Sequence, residues 1–321
     1  MILDLHSHYF PLEAVRGLAS APVTVGEVSE TTVEVDVLGS SMPLERDLFD
    51  LERQRADRKR QRLDRRTLMV PPFTALYELP PDEGIQWSQL LNQGIAEAAA
   101  AYPEEFVGFA TVPLQDGVAA AAELERGAAL GLRGVEILTS INGVGLDDPS
   151  LEPFWETAAW LAMPILIHPS YVAGTERLGP YYLRNLLGNP TETANAGARL
   201  IFGGVLERHP TLKVILAHGG GSLPQIIGRL QHGAEVRAEC RHARSPREQF
   251  GNLYFDTIVF DPLILRHLVE LAGAERVVLG TDYPFDMGET RPLEFVAGAG
   301  LADADVETIL HAGERLLNGV A

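Results

Sequence analysis

Eight short apolar runs alternate with helical patterns along this chain, and that alternation is the strongest constraint on what it can fold into. The runs cover 2–6, 67–71, 106–112, 133–139, 163–168, 212–217, 252–257 and 276–281. Helical periodicity lies between most of them, at 45–65, 88–102, 116–130, 150–161, 193–208, 222–236 and 261–272, with a final stretch at 303–318. A strand, a helix and a second strand in the same sheet give a parallel pair, because the crossover returns the chain to the edge it left. Repeated eight times, the unit predicts an α/β fold, a (β/α)8 TIM barrel spanning 1–321 as one domain.

Two stretches break the alternation. Residues 12–44 contain Val23-Thr24-Val25 and Thr31 to Val37, whose apolar and polar residues alternate as in the strands of a small sheet. This β-rich insertion leaves the barrel just after the first strand, so it is expected to cover or flank the mouth. The proline-rich segment 72–87, carrying Tyr77 and Trp87, is expected to form a second rim loop.

The runs also share an ending. His6 and His8 close the first, within Asp4-Leu5-His6-Ser7-His8; His168 closes 163–168; His218 follows 212–217; Asp282 follows 276–281. Residues two apart on a strand point to one side, so His6 and His8 can reach a common point. In a parallel barrel all these strand ends lie on one rim, where imidazoles and a carboxylate converge as metal ligands.

Composition fits a soluble globular protein: 46% hydrophobic, 22% charged, formal net charge −18. That charge argues against nucleic acid as the main partner. No apolar run approaches the roughly 20 residues a membrane helix needs, and the chain opens directly on a strand, without a basic and apolar leader. A single cysteine, Cys240, allows no intrachain disulfide. Together these lead us to expect a cytoplasmic protein. Between Glu52 and Arg66 lie seven arginines and one lysine, interspersed with acids, which read as the solvated face of a helix. One arginine turned toward the mouth would suit an anionic substrate.

The chain resembles the amidohydrolase superfamily, in the subgroup of non-oxidative decarboxylases typified by 2-amino-3-carboxymuconate-6-semialdehyde decarboxylase. The phrases that carry the resemblance are Asp4 to His8, Gly134-Val135-Glu136-Ile137, Leu146 to Pro149, Ile167-His168-Pro169, Phe202 to Val205, Ala217 to Gly221, and Leu279 to Phe285. They run from the N-terminus to the last strand. The resemblance implies that His6, His8, His168 and Asp282 hold one divalent metal, zinc as the usual ion and manganese in some relatives. It makes His218 an acid/base beside the metal, with Asp282 sharing in catalysis. Arg53, Arg229 and Arg237 become carboxylate-binding residues, one of the last two reaching across a homodimer.

The chain also departs from that pattern. Tyr181 or Tyr182 stands where the decarboxylase has a tryptophan over its substrate, Ser170 and Tyr171 follow Pro169 in place of its proline–tryptophan pair, and Glu136 stands where glutamine is expected. The expected reaction is loss of CO2 from a small unsaturated or aromatic carboxylic acid. The same residues would also serve a hydrolase or deaminase, a hydratase of an ene or enol acid, or a non-catalytic binding barrel.

Overall fold

The computed structural model describes residues 1–16, 18, 22–241 and 244–319. Eight strands form its frame: Leu3–Asp4, Arg65–Leu68, Phe106–Gly108, Val135–Leu138, Pro164–His168, Lys213–Leu216, Tyr254–Asp256 and Val277–Val278. All their pairings are parallel. The first three form one run and the other five a second. Single bridges join the runs, Ala110 to Val135 on one side and Ser7 to Tyr283 on the other, and Leu5 N donates to Leu279 O at 2.8 Å. The sheet is therefore closed, and the expected α/β barrel is present.

Two apolar layers hold it. Inside the ring, Leu5, Met69, Phe109, Leu166, Ile215 and Val278 pack with Ala312, Leu316 and Leu317 of the C-terminal helix Asp303–Asn318. That helix stops the N-terminal end of the barrel. Arg133 and Lys213, just before or at the start of their strands, donate to Leu317 O and Leu316 O, the carbonyls a helix end leaves unpaired. With the bottom closed, the opposite rim is left for a site. Outside the ring, a larger cluster seats the helices, and Trp155, Phe154 and Phe106 are almost wholly buried there.

Residues 12–44 are organised as expected up to a point. Val23–Val28, Thr32–Val37 and Ser40–Glu45 make a three-stranded antiparallel sheet. Its last strand was not expected, since Ser40–Glu45 contains Pro43 and no β-branched residue; Pro43 is tolerated because this strand is an edge. Leu38 and Gly39, with φ of 51° and 86°, make the two-residue reversal that suits the twist of a hairpin. Gly17, Ala19, Ser20 and Ala21 of this stretch lie outside the described residues.

The segment 72–87 is a rim loop only in its first part, 72–80, where Pro72 and Phe73 border the mouth. A helix starts at Pro81 and runs to Ala101, because proline at a first helical position lacks only an N–H that would be unpaired anyway. Trp87 is on that helix, buried, donating to Thr74 O at 2.7 Å; Tyr77 is buried as well. Trp87 is therefore helical rather than part of a loop, while Tyr77 lies in the turn before the helix with its side chain inward. No helix among the described residues is long and apolar enough to cross a membrane.

Candidate metal centre

Strand geometry places the polar endings together. One ligand atom from each of His6, His8, His168 and Asp282 lies within 4.8 Å of the others, and all four residues are buried. Three oxygens fix the imidazoles from behind. His6 Nδ1 faces Asp256 Oδ2 at 2.7 Å, His8 Nδ1 faces Val70 O at 3.2 Å, and His168 Nδ1 faces Pro169 O at 2.9 Å. Each Nδ1 therefore carries the proton, and each Nε2 turns its lone pair inward. Nε2 of His6 and of His168 are buried with no hydrogen-bond partner. His8 Nε2 lies 3.1 Å from Asp282 Oδ1, so a lone pair there meets a carboxylate. A cation resolves both the orphaned lone pairs and that contact. The donor set fits a divalent metal.

Asp256 was not singled out by sequence, although it shows the same signal as the ligands, a carboxylate ending a buried strand. It accepts from His6 Nδ1 and from the backbone N–H of His218, Gly219 and Ile258. These bonds, with the His6 and His218 rings beside it, outweigh burial and hold its carboxyl below the usual range. One carboxylate thus orients a ligand and anchors the loop that carries His218. That loop needs its glycines: Gly219, Gly220 and Gly221 all have left-handed φ, and a Cβ on Gly221 would stand 2.1 Å from Pro190 O.

His218 is half-buried, and its Nε2 is 3.4 Å from Asp282 Oδ2. Burial opposes its protonation, but the Asp282 carboxylate prevails and raises its pKa. Burial likewise opposes ionisation of Asp282, yet the bond with His218 and the adjoining His8 and His6 rings hold it well below a normal carboxyl. Burial and the neighbouring imidazoles hold His168 well below its normal value, keeping its ring neutral. His218 and Asp282 both adopt left-handed φ, 56° and 60°, a strain that ordinary residues carry where a site demands it.

Glu136 is buried, with Oε1 3.8 Å from His8 Nδ1 and neither oxygen hydrogen-bonded. Burial pushes its carboxyl up to about 8; His8 opposes the shift and Asp282 adds to it.

Asp4 is not at the centre. It receives Arg66 Nε at 3.0 Å and Thr281 Oγ1 at 2.7 Å, tying the first strand to the second and the last. Arg66 is wholly buried, also bonds Asp57 and Gln61, and stacks on Tyr283. It departs from the solvated face expected of the arginine-rich segment, which Arg60 and Arg62, 70% and 65% exposed, do form, while Arg55 and Arg58 are partly buried against Glu105.

Above the metal ligands opens a cavity of about 670 Å³, with His168, His218 and Asp282 at its base. Tyr182 lines it; Tyr181, 85% exposed, does not. Arg53 lies at the surface, paired with Asp47 at 2.8 Å, and Arg229 and Arg237 are exposed on the helix Leu223–Val236 and just after it. Within one chain, the structure brings none of these three into the cavity, and no described residue of 12–44 lines it. His232 is exposed and pairs with Glu235, His209 pairs with Glu152, and His311 pairs with Glu307. His242 lies outside the described residues. Arg184, which the sequence reading passed over, does line the cavity.

Comparison with known proteins agrees with this geometry. The chain is 41% identical over 224 residues to the 2-amino-3-carboxymuconate-6-semialdehyde decarboxylase of Dictyostelium discoideum, covering 68% of this chain and 62% of that protein, less than two thirds of its length. To the gamma-resorcylate decarboxylase of Rhizobium sp. (strain MTP-10005) it is 31% identical over 251 residues, 73% of this chain and 76% of that one. A dihydroxybenzoic acid decarboxylase from Polaromonas, solved with manganese and 2-nitroresorcinol, shares the fold with a TM-score of 0.80 at 23% identity, covering 99% of this chain and 96% of that one. Residues 4–316 match the amidohydrolase family model, and the chain belongs to that family.

Proposed function

We propose that the protein is a metal-dependent, non-oxidative decarboxylase of a small unsaturated or aromatic carboxylic acid. One observation carries the reading. The cavity reaches the metal ligands and a half-buried histidine bonded to one of them, so a flat acid can meet an electrophile and a proton source together. The names of the relatives support the same chemistry.

His6, His8, His168 and Asp282 hold the ion, with zinc favoured by three imidazoles and manganese, the ion in the Polaromonas enzyme, as the alternative. When bound, it supplies positive charge that draws in and stabilises an oxygen of the acid. His218 delivers a proton to the ring or diene carbon that bears the carboxylate, and Asp282 keeps its imidazole oriented and protonated. That carbon becomes tetrahedral, its bond to the carboxylate breaks, CO2 leaves, and the bonding electrons return to the conjugated system. The apolar wall, including Phe285 and Ile258, keeps bulk water from competing for the proton. No redox change occurs. In this reading the enzyme is cytoplasmic and works as a homodimer, Arg53 and a neighbour's copy of Arg229 or Arg237 completing the carboxylate contacts.

The test is metal analysis followed by a panel of unsaturated and aromatic acids monitored for CO2. Release of one CO2 per acid consumed, lost on chelation and restored by zinc or manganese, is expected. Ammonia, a ring-opened acid or a hydrated product without CO2 would overturn the reading, as would protein that binds no stoichiometric divalent metal.

A further inference from the structure

The three ligand imidazoles are held from behind unequally. His6 Nδ1 meets Asp256 Oδ2 at 2.7 Å and His168 Nδ1 meets Pro169 O at 2.9 Å, whereas His8 Nδ1 reaches Val70 O only at 3.2 Å. That distance is the long end of a hydrogen bond, so His8 is the least firmly oriented of the three. A second oxygen faces the same nitrogen: Glu136 Oε1, 3.8 Å away and beyond hydrogen-bond reach. Neither Glu136 oxygen bonds any other group among the described residues.

An acid that is 3% exposed with both oxygens unpaired is costly, because burial strips its hydration and nothing replaces it. Position excludes two explanations for its being there. Glu136 is no fifth ligand: its oxygens lie outside the set of four ligand atoms within 4.8 Å of one another, and the nitrogen it faces is Nδ1, the one turned from the ion. Nor does it meet the substrate, since it is not part of the cavity lining. What it does face is the ring of His8. Both histidines of the His-x-His pair therefore have a carboxyl group behind Nδ1, one closed at 2.7 Å and one open at 3.8 Å.

We propose that Glu136 is a positioning residue for His8, whose Nδ1–H its carboxyl oxygen accepts when the divalent ion is held at Nε2. Coordination draws electron density out of the imidazole and makes Nδ1–H a stronger donor, one that Val70 O serves poorly at 3.2 Å. No bond holds the Glu136 carboxyl elsewhere, so closing a gap of about 1 Å breaks no other contact. The same group then has opposite effects in two states. In the metal-free protein it is an unpaired buried acid that lowers stability; in the loaded protein it fixes a ligand and strengthens the site. The inference rests on the metal centre and is independent of which substrate bond the enzyme breaks.

The test uses full-length protein, stripped of metal and reloaded, and two variants. Glu136→Met keeps the length of the side chain without an acceptor, and Glu136→Gln keeps an acceptor oxygen. In chelator competition for Zn2+, the Met variant is expected to raise Kd by about tenfold, and the Gln variant by less. In the metal-free protein the Met variant should melt at a higher temperature than wild type, because two unpaired buried oxygens are gone. A side chain that only braced the fold would move affinity and stability in the same direction. The visible absorption of the cobalt(II)-loaded protein, which reports ligand geometry, should change in the Met variant and return toward wild type in the Gln variant. Zinc affinity within about twofold of wild type in the Met variant, an unaltered cobalt spectrum, or a lower melting temperature of the metal-free Met variant would overturn the proposal. A wild type that binds no divalent ion would sink the metal centre and this inference with it, whereas a wild type that binds zinc beside variants that bind it equally well sinks this inference alone.

Discussion

The rim formed by the first, second, seventh and last strands and the segment 178–190 border the same site but are built in opposite ways. In the first region, Asp4, His6, Asp256 and Arg66 are wholly buried, and nearly every polar atom has a partner. In the second, Tyr181, Tyr182, Leu186 and Leu187 are about half or more exposed, and the backbone turns through left-handed and π geometry. Burial with full hydrogen bonding fixes atoms to fractions of an ångström, which a metal site requires; an exposed, loosely tied wall can change without disturbing the metal. Under the proposed function, chemistry falls in the rigid region and substrate choice in the adaptable one.

The sharpest break of that contrast is at Arg66. Replacing it with Met leaves Asp4 and Asp57 buried without their cation, and breaking a buried ion pair in this way costs about 3–5 kcal/mol. Urea denaturation should show that loss of stability and, through Asp4 and Thr281, a loosening of the strands that carry His6 and Asp282. A variant within about 1 kcal/mol of wild type would mean that the rim's rigidity has another source.

Next in size is Asp256→Asn. The amide retains the shape but gives up the charge and places a donor against N–H groups, so His6 loses its fixed tautomer. Removing such a partner typically weakens metal binding by about 10–100-fold. A competition titration with a chelator measures it. Unchanged affinity would show that His6 is oriented by packing alone.

These two residues also mark the limit of what was legible in the sequence. His6, His8, His168, His218 and Asp282 were visible because each is the first polar residue after an apolar run, and the barrel was visible because the runs and helices alternate. Asp256 gave the same signal, but a carboxylate that bonds a ligand's far nitrogen looks like any strand-end acid until its partner, 250 residues away, is placed. Arg66 was hidden among other arginines, since charge composition does not say which side chain points inward. Arg184 lies in a segment without helix or strand periodicity, where local pattern carries no direction. Trp87 was expected in a loop because prolines suggest loops, whereas Pro81 starts the helix that carries it.

The smallest effect is expected in the exposed wall. Tyr182→Phe removes one hydroxyl, whose contact with Asp286 is 3.3 Å long at a side chain that is 51% exposed. Water replaces such a bond at little cost, so stability should stay within about 0.5 kcal/mol of wild type. The ring remains to cover the substrate, and KM should change by no more than about threefold, with kcat unaltered, because a long bond at the surface is worth less than a kilocalorie. Tyr182→Ala removes the ring as well and should raise KM further with the same folding stability. If Tyr182→Phe instead lowered the melting temperature by several degrees, the 178–190 segment would be held as firmly as the metal rim, and the division between a rigid chemical half and an adaptable recognition half would fail.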